Sequence, residues 1–144
     1  MVKEEKWAFR YQTLNGEKVC YPGSKVQIDK NIKICMQKGF DVISIKKLYP
    51  FSLMKNQHNF NLISDICFNR MHDMESGEIE WNDEEYNRMS KLKERAEYFF
   101  CLPPIAWLPY EEWIEAKEIA QMAITHREET CIKNGRLDLL KYCD

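Results

Sequence analysis

A chain of 144 residues with 44% hydrophobic, 12% aromatic and 31% charged side chains has the composition of a globular protein, long enough for one ordinary domain. The aromatic share excludes intrinsic disorder, and no apolar run approaches the roughly 20 residues of a membrane-spanning helix. The net charge of −2 hides an asymmetry: residues 1–51 carry ten Lys/Arg against five Asp/Glu, and residues 52–144 carry eleven against eighteen.

In KWAFRYQT, Trp7, Phe9 and Tyr11 alternate with Lys6, Ala8, Arg10 and Gln12, the period of a half-buried strand. Asn15-Gly16 reads as the two positive-φ positions of a tight hairpin turn. KVCY returns as a second strand, ended by Pro22-Gly23. Ser24 is placed to cap a helix to about Lys38, with Ile28, Ile32, Cys35 and Met36 on one face and Gly39 at its stop. DVISIKKLY forms a third strand, stopped by Pro50. Residues 1–51 are thus expected as a ββαβ unit, a three-stranded sheet with one helix.

The remainder, 52–144, reads as three main helices and a short tail helix, packed with the first unit as one α+β domain. From about Ser52 to Met74, the residues Leu62, Ile63, Ile66, Cys67, Met71 and Met74 recur at spacings of three and four. A second helix runs through Met89, Leu92, Ala96, Phe99 and Phe100 and must end by Leu102-Pro103-Pro104. PPIAWLP is expected as a rigid link. A long helix then spans about Pro109 to Asn134, with Trp113, Ala116, Ala120, Ala123 and Ile124 on one stripe and Gly135 closing it. The tail helix centres on Leu137, Leu139 and Leu140. No strand is expected between 84 and 134. Trp7, Phe9, Ile32, Ile63, Ile66, Leu92, Phe99, Ala120 and Ile124 are the expected core.

Between the first two of these helices lies DMESGEIEWNDEE, residues 73–85, with seven carboxylates in thirteen positions and no Lys, Arg or His. Asn82 with Glu85 makes a capping-box pattern, and Trp81 is placed to staple onto Tyr86. Asp83, Glu84 and Glu85 fall in the first helical turn, where the macrodipole favours anions. Asp73, Glu75, Glu78 and Glu80 have no such role. They flank a Ser76-Gly77 turn with Trp81 beside them.

Motifs for chemistry are absent. His58, His72 and His126 lack the paired spacing that zinc requires, and Cys20, Cys35, Cys67, Cys101, Cys131 and Cys143 are scattered singly. Without a secretory signal in MVKEEKWAFR they read as reduced thiols in a cytoplasmic protein. His126 and Cys131 are five apart, which places them well round a helix from each other. The adjacent pairs Glu111-Glu112, Glu84-Glu85 and Glu128-Glu129 diverge by about 100° and make no acid/base dyad. The sequence thus points to no catalytic residue, metal or cofactor.

The basic excess of the first third suggests a second surface. If Trp7, Phe9, Tyr11, Val19, Tyr21, Ile43 and Ile45 face the helix, then Lys6, Arg10, Lys18 and Lys46 share the other side, where they could follow a phosphate backbone. Sheets that read single strands display aromatics for stacking, however, and here the aromatics are expected on the core side.

GFDVISIKKLYPF, KNQHNFNLISDICFNRM, FFCLPPIAWLPYEEW and ITHREETCIKNGRLDLLKYC together resemble a group of small, uncharacterised accessory proteins of phages and prophages of Gram-positive bacteria. The resemblance spans most of the chain and carries no residue roles. It implies a non-enzymatic protein in the cytoplasm of a bacterial host, of the kind that includes anti-CRISPR and other anti-defence proteins. The expected activity is inhibition of a host defence protein, a CRISPR effector nuclease foremost. Asp73, Glu75, Glu78, Glu80 and Trp81 would occupy its nucleic-acid groove. The alternative is a nucleic-acid-binding accessory protein using Lys6, Arg10, Lys18 and Lys46.

Overall fold

Alternating side chains make Lys6–Thr13 a strand (β1), which folds back onto Gly16–Gly23 (β2) through Leu14 and Asn15. The turn lies one residue earlier than the Asn15-Gly16 reading. Neither Leu14 nor Asn15 takes a positive φ; Gly16, just after the turn, takes φ 116°, which glycine adopts without a Cβ penalty. Thr13 braces the turn: its Oγ1 accepts from the Asn15 N–H at 3.1 Å and donates to the Gly16 carbonyl at 2.9 Å.

The structure, a computed structural model, describes residues 6–54 and 56–144, apart from the side chains of Tyr21 and Pro22. After β2 come α1 (Lys25–Gln37), β3 (Asp41–Pro50), a 3-10 turn (Phe51–Leu53), α2 (His58–Ser76), α3 (Asp83–Cys101), β4 (Trp107–Pro109), α4 (Tyr110–Lys133) and a 3-10 segment (Leu137–Tyr142). The fold is α+β. It divides into two compact units: one reaches Phe51 and resumes over Ile105–Trp113, and the other takes Ser52–Pro104 and Ile114–Asp144.

In the first unit the sheet has four antiparallel strands in the order β2-β1-β3-β4, where three were expected. The fourth is inside the stretch read as a rigid link. Leu108 pairs with Tyr49 and is buried, and the Phe51 N–H donates to the Ala106 carbonyl at 2.9 Å. Three residues ending in proline are too short to show a period of two, and an edge position tolerates the missing N–H.

α1 starts where Ser24 Oγ accepts from the Gln27 N–H. It stops in a Schellman motif: the Gly39 N–H bonds the Met36 carbonyl and the Phe40 N–H the Cys35 carbonyl, both at 3.0 Å, with Gly39 at φ 79°. Phe9, Ile28 and Cys35 form the core beneath, joined by Trp7, Tyr11, Cys20, Ile32, Phe40 and Val42. Met36, expected there, is 66% exposed, since it lies about 80° round the helix from Ile28.

Directly opposite residues of an antiparallel pair share a face. Tyr11 is opposite Lys18 and Val42, whereas Arg10 is opposite Val19 and Ser44. A two-residue hairpin pairs odd with even positions, so Val19 belongs with Arg10 and Lys18 with Tyr11, the reverse of the expected assignment. Ile45 is opposite Phe9, on the expected face, but both it and Ile43 are exposed, and Val42 packs beside the core after the register shift in β1–β3. The side chain of Tyr21, expected on that face, lies outside the described residues.

In the second unit α2 and α3 form a helical hairpin. Phe60, Ile63, Cys67 and Met74 of α2 and Ala96 and Phe99 of α3 are buried, and the Phe60 and Phe99 rings meet at 5.7 Å. α2 begins at His58, later than expected, because Phe51–Leu53 closes a separate 3-10 turn. Leu62, Ile66, Met71, Met89 and Leu92 are half-buried at the edges of this interface, and Phe100 is exposed. α4 buries Ala116, Ile119, Ala120 and Ala123. It ends in a second Schellman motif: the Gly135 N–H bonds the Ile132 carbonyl and the Arg136 N–H the Cys131 carbonyl. The tail is 3-10, with none of its own residues buried.

Candidate functional site

The acidic stretch occupies the connection of the α2–α3 hairpin. α2 persists until Gly77, which takes φ 84° and ends the helix, because nothing before it in the stretch breaks one. Asp73 and Glu75 therefore lie in the last turn of α2, and only Glu78 and Glu80 of the four uncapped acids are in the connecting turn. Carboxylates at a helix C-terminus oppose the macrodipole. Glu75 is compensated by the Tyr86 hydroxyl, which donates to it at 2.6 Å. That bond to a carboxylate pushes the Tyr86 phenol up from its ordinary value.

At the start of α3, Asn82 Oδ1 accepts from the Glu85 N–H at 3.0 Å, as the sequence pattern predicts. The reciprocal half of the capping box is absent. The Glu85 carboxylate instead accepts from Arg70 Nε at 2.7 Å, and this bond holds its carboxyl below the ordinary value. Trp81 stacks on Tyr86 at 4.6 Å between ring centroids, and its Nε1 donates to Asp83. The staple forms on one face of the indole only, and Trp81 remains 49% exposed. Glu78, Glu80 and Glu84 are exposed, and none makes an ion pair among the described residues.

The acidic surface continues along the hairpin into a groove of about 330 Å³, lined by Phe68, Met71, His72, Glu75, Lys93 and Glu97 among others. The Phe68 and His72 rings lie parallel there, 6.3 Å apart, with Phe68 exposed. Lys93 donates to Glu97 at 2.6 Å and lowers its carboxyl. Sequence reasoning missed this groove because its walls come from two helices whose register depends on the hairpin.

The basic residues of the first unit are less open. Arg10 pairs with Glu17 at 2.7 Å, Lys46 with Glu111 at 3.8 Å, and the Lys6 ammonium lies 4.8 Å from the centroid of the Trp107 ring. Lys6, Arg10 and Lys46 share one sheet face and Lys18 lies on the other. Ala8 and Leu48, on the face of Arg10, are buried, so that side is not wholly open to a polyanion.

Among the described residues no group of three or more His, Cys, Asp or Glu is arranged to hold a metal ion. No helix among them is long and apolar enough to cross a membrane. All six cysteines are thiols, and burial raises those of Cys20, Cys67 and Cys143. Cys131 meets Cys143 and not His126, which is exposed. The fold and site together define an α+β protein with an acid-rich helical hairpin. No protein-family model, curated protein or solved structure matches the chain.

Proposed function

We propose that this protein acts by stoichiometric binding, without turnover, and that Asp73, Glu75, Glu78, Glu80 and Trp81 contact a macromolecule carrying a basic groove. The observation that carries this reading is the half-exposed indole of Trp81 in the same turn as the unpaired Glu78 and Glu80. Unpaired carboxylates speed encounter with a positive surface, and burial of an aromatic anchor supplies affinity. Together with the resemblance to phage accessory proteins, this favours a host defence protein as partner. A CRISPR effector nuclease is the leading candidate, since it holds its guide–target duplex in a positively charged channel.

The test is a DNA-cleavage assay with a purified effector–guide complex, titrated with this protein. Cleavage should fall to background near one equivalent, and the Glu78→Lys/Glu80→Lys double variant should restore it. Undiminished cleavage in excess protein, with no complex on size-exclusion chromatography, would reject the nuclease as partner. Full inhibition by the double variant would remove the acidic turn from the contact.

A further inference from the structure

A second feature lies in the first unit, away from the acidic hairpin in sequence and opposite to it in charge. The start of β1, the end of β2, β3 and the segment leading into β4 enclose an open cleft of about 510 Å³, lined by Lys6, Trp7, Gly23, Leu48, Ala106 and Trp107. Among the described residues its lining includes two tryptophans and one lysine and no Asp or Glu. Neither tryptophan is buried. Trp7, expected on the core side, packs against the core edge and is also among the residues lining the cleft.

Further details bear on what would bind. The Lys6 ammonium is held over the Trp107 ring at 4.8 Å and makes no ion pair among the described residues. Lys25 lies 5.2 Å from the centroid of Trp7, although it also pairs with Asp29 at 3.0 Å. The Trp7 Nε1–H is buried and has no acceptor among the described residues, a state a native fold leaves uncompensated only at a cost. Gly23 adds no side chain to close the cleft. The surrounding segment, residues 1–51, carries twice as many Lys/Arg as Asp/Glu, ten against five.

We propose that this cleft binds a nucleotide with an unpaired base, the base against the Trp107 indole and the phosphate at the Lys6 ammonium. A flat ring with an attached anion answers the two features open to the cleft, an aromatic wall and a cation. Base–aromatic stacking tolerates any base, so the site should show little sequence preference. A base paired within a duplex has no free face to offer, so duplex should bind poorly. The same chemistry is available in a free mononucleotide and in a single strand.

The test measures fluorescence anisotropy of a labelled single-stranded oligonucleotide of about 12 nucleotides with the full chain at low salt. Unlabelled single strand, duplex and a free mononucleotide serve as competitors. The labelled strand should bind, and binding should weaken with salt. Lys6→Glu should weaken it about tenfold and flatten the salt dependence by about one unit of slope. Trp107→Leu should also weaken it about tenfold by removing a stacking surface. Displacement by mononucleotide would identify a site for one free nucleotide; displacement by single strands alone would identify one that requires the chain. Either result supports the cleft. Absence of strand binding, duplex binding as tight as the single strand, or unchanged affinity of a Lys6→Glu protein with native circular dichroism would overturn it. Lys6→Glu decides the matter even if Trp107→Leu fails to fold. None of these readouts involves the acidic turn, so this inference and the proposed inhibitor function fail independently.

Discussion

Arg70 reaches from α2 to α3 and donates through Nε to Glu85 at 2.7 Å, taking the carboxylate that the capping pattern would have turned back on Asn82. One bond thus ties the hairpin together next to the acidic turn and leaves the cap to Asn82 alone.

The pH dependence of this tie follows from its sign. Glu85 has a folded-state value below its ordinary 4.5, chiefly through the Arg70 hydrogen bond. Its contribution is therefore present above pH 4.5 and lost as pH falls through the lower folded value. Arg70→Met should be less stable than the native chain at neutral pH, and the difference should shrink as pH falls below 4.5. Glu97 and Asp138, also lowered by cationic neighbours, add acid sensitivity to both proteins and cancel in the comparison. Thermal melts across that range check it. A difference that stays constant with pH would mean that the pair does not form in solution.

The acids of the turn should separate by structural role. Asn82→Ala removes the side-chain acceptor for the Glu85 N–H and should lower stability by about 1 kcal/mol, or about 4 °C in Tm. Glu78→Lys and Glu80→Lys touch exposed, unpaired side chains and should change stability by less than about 0.5 kcal/mol. Glu75→Lys should lower Tm, because it forfeits the bond from the Tyr86 hydroxyl. Calorimetry on the four variants checks the order. Equal effects would mean that the turn is not built as described.

Phe99 and Phe100 are adjacent, and both were expected on the apolar stripe of α3. Phe99 is fully buried against Phe60, whereas Phe100 is 40% exposed. Phe99→Ala should cost about 3–5 kcal/mol in urea unfolding, and Phe100→Ala about 1 kcal/mol or less. Similar losses would show that the stripe is wider than the structure has it.

The contrast shows what could be read in advance. Features closed within a few residues were legible: the Ser24 and Asn82 caps, the glycine stops at Gly39 and Gly135, and the stacking of Trp81 on Tyr86. Features that depend on a distant partner were not. Glu85 finds Arg70 fifteen residues away, and β4 exists only because the edge of β3 is available to pair with it. The Trp7–Trp107 cleft likewise joins residues a hundred positions apart. Local chemistry announces a helix end; a groove or a sheet edge is decided by tertiary pairing.

Cys131 and Cys143 belong to the second group. They are twelve apart, with Sγ atoms 3.8 Å from each other at the junction of α4 and the C-terminal 3-10 segment. Closing a disulfide needs an approach to about 2 Å, within reach of side-chain rotation. Treatment with hydrogen peroxide should link them, the two thiols giving up two electrons and two protons as one peroxide becomes two waters. Burial pushes the Cys143 thiol up, so the reaction should accelerate with rising pH as more thiolate forms. The product should be lighter by about 2 Da, yield a linked peptide on digestion, and be more stable by about 3 kcal/mol or less. Arg127, which donates to the Cys143 carbonyl at 3.0 Å, already holds the segment against α4, so part of that gain is present in the reduced form. Cys143→Ser should abolish the link. Peptide mapping that finds Cys131 joined instead to the exposed Cys101 of a second molecule would show that the two thiols do not meet in solution.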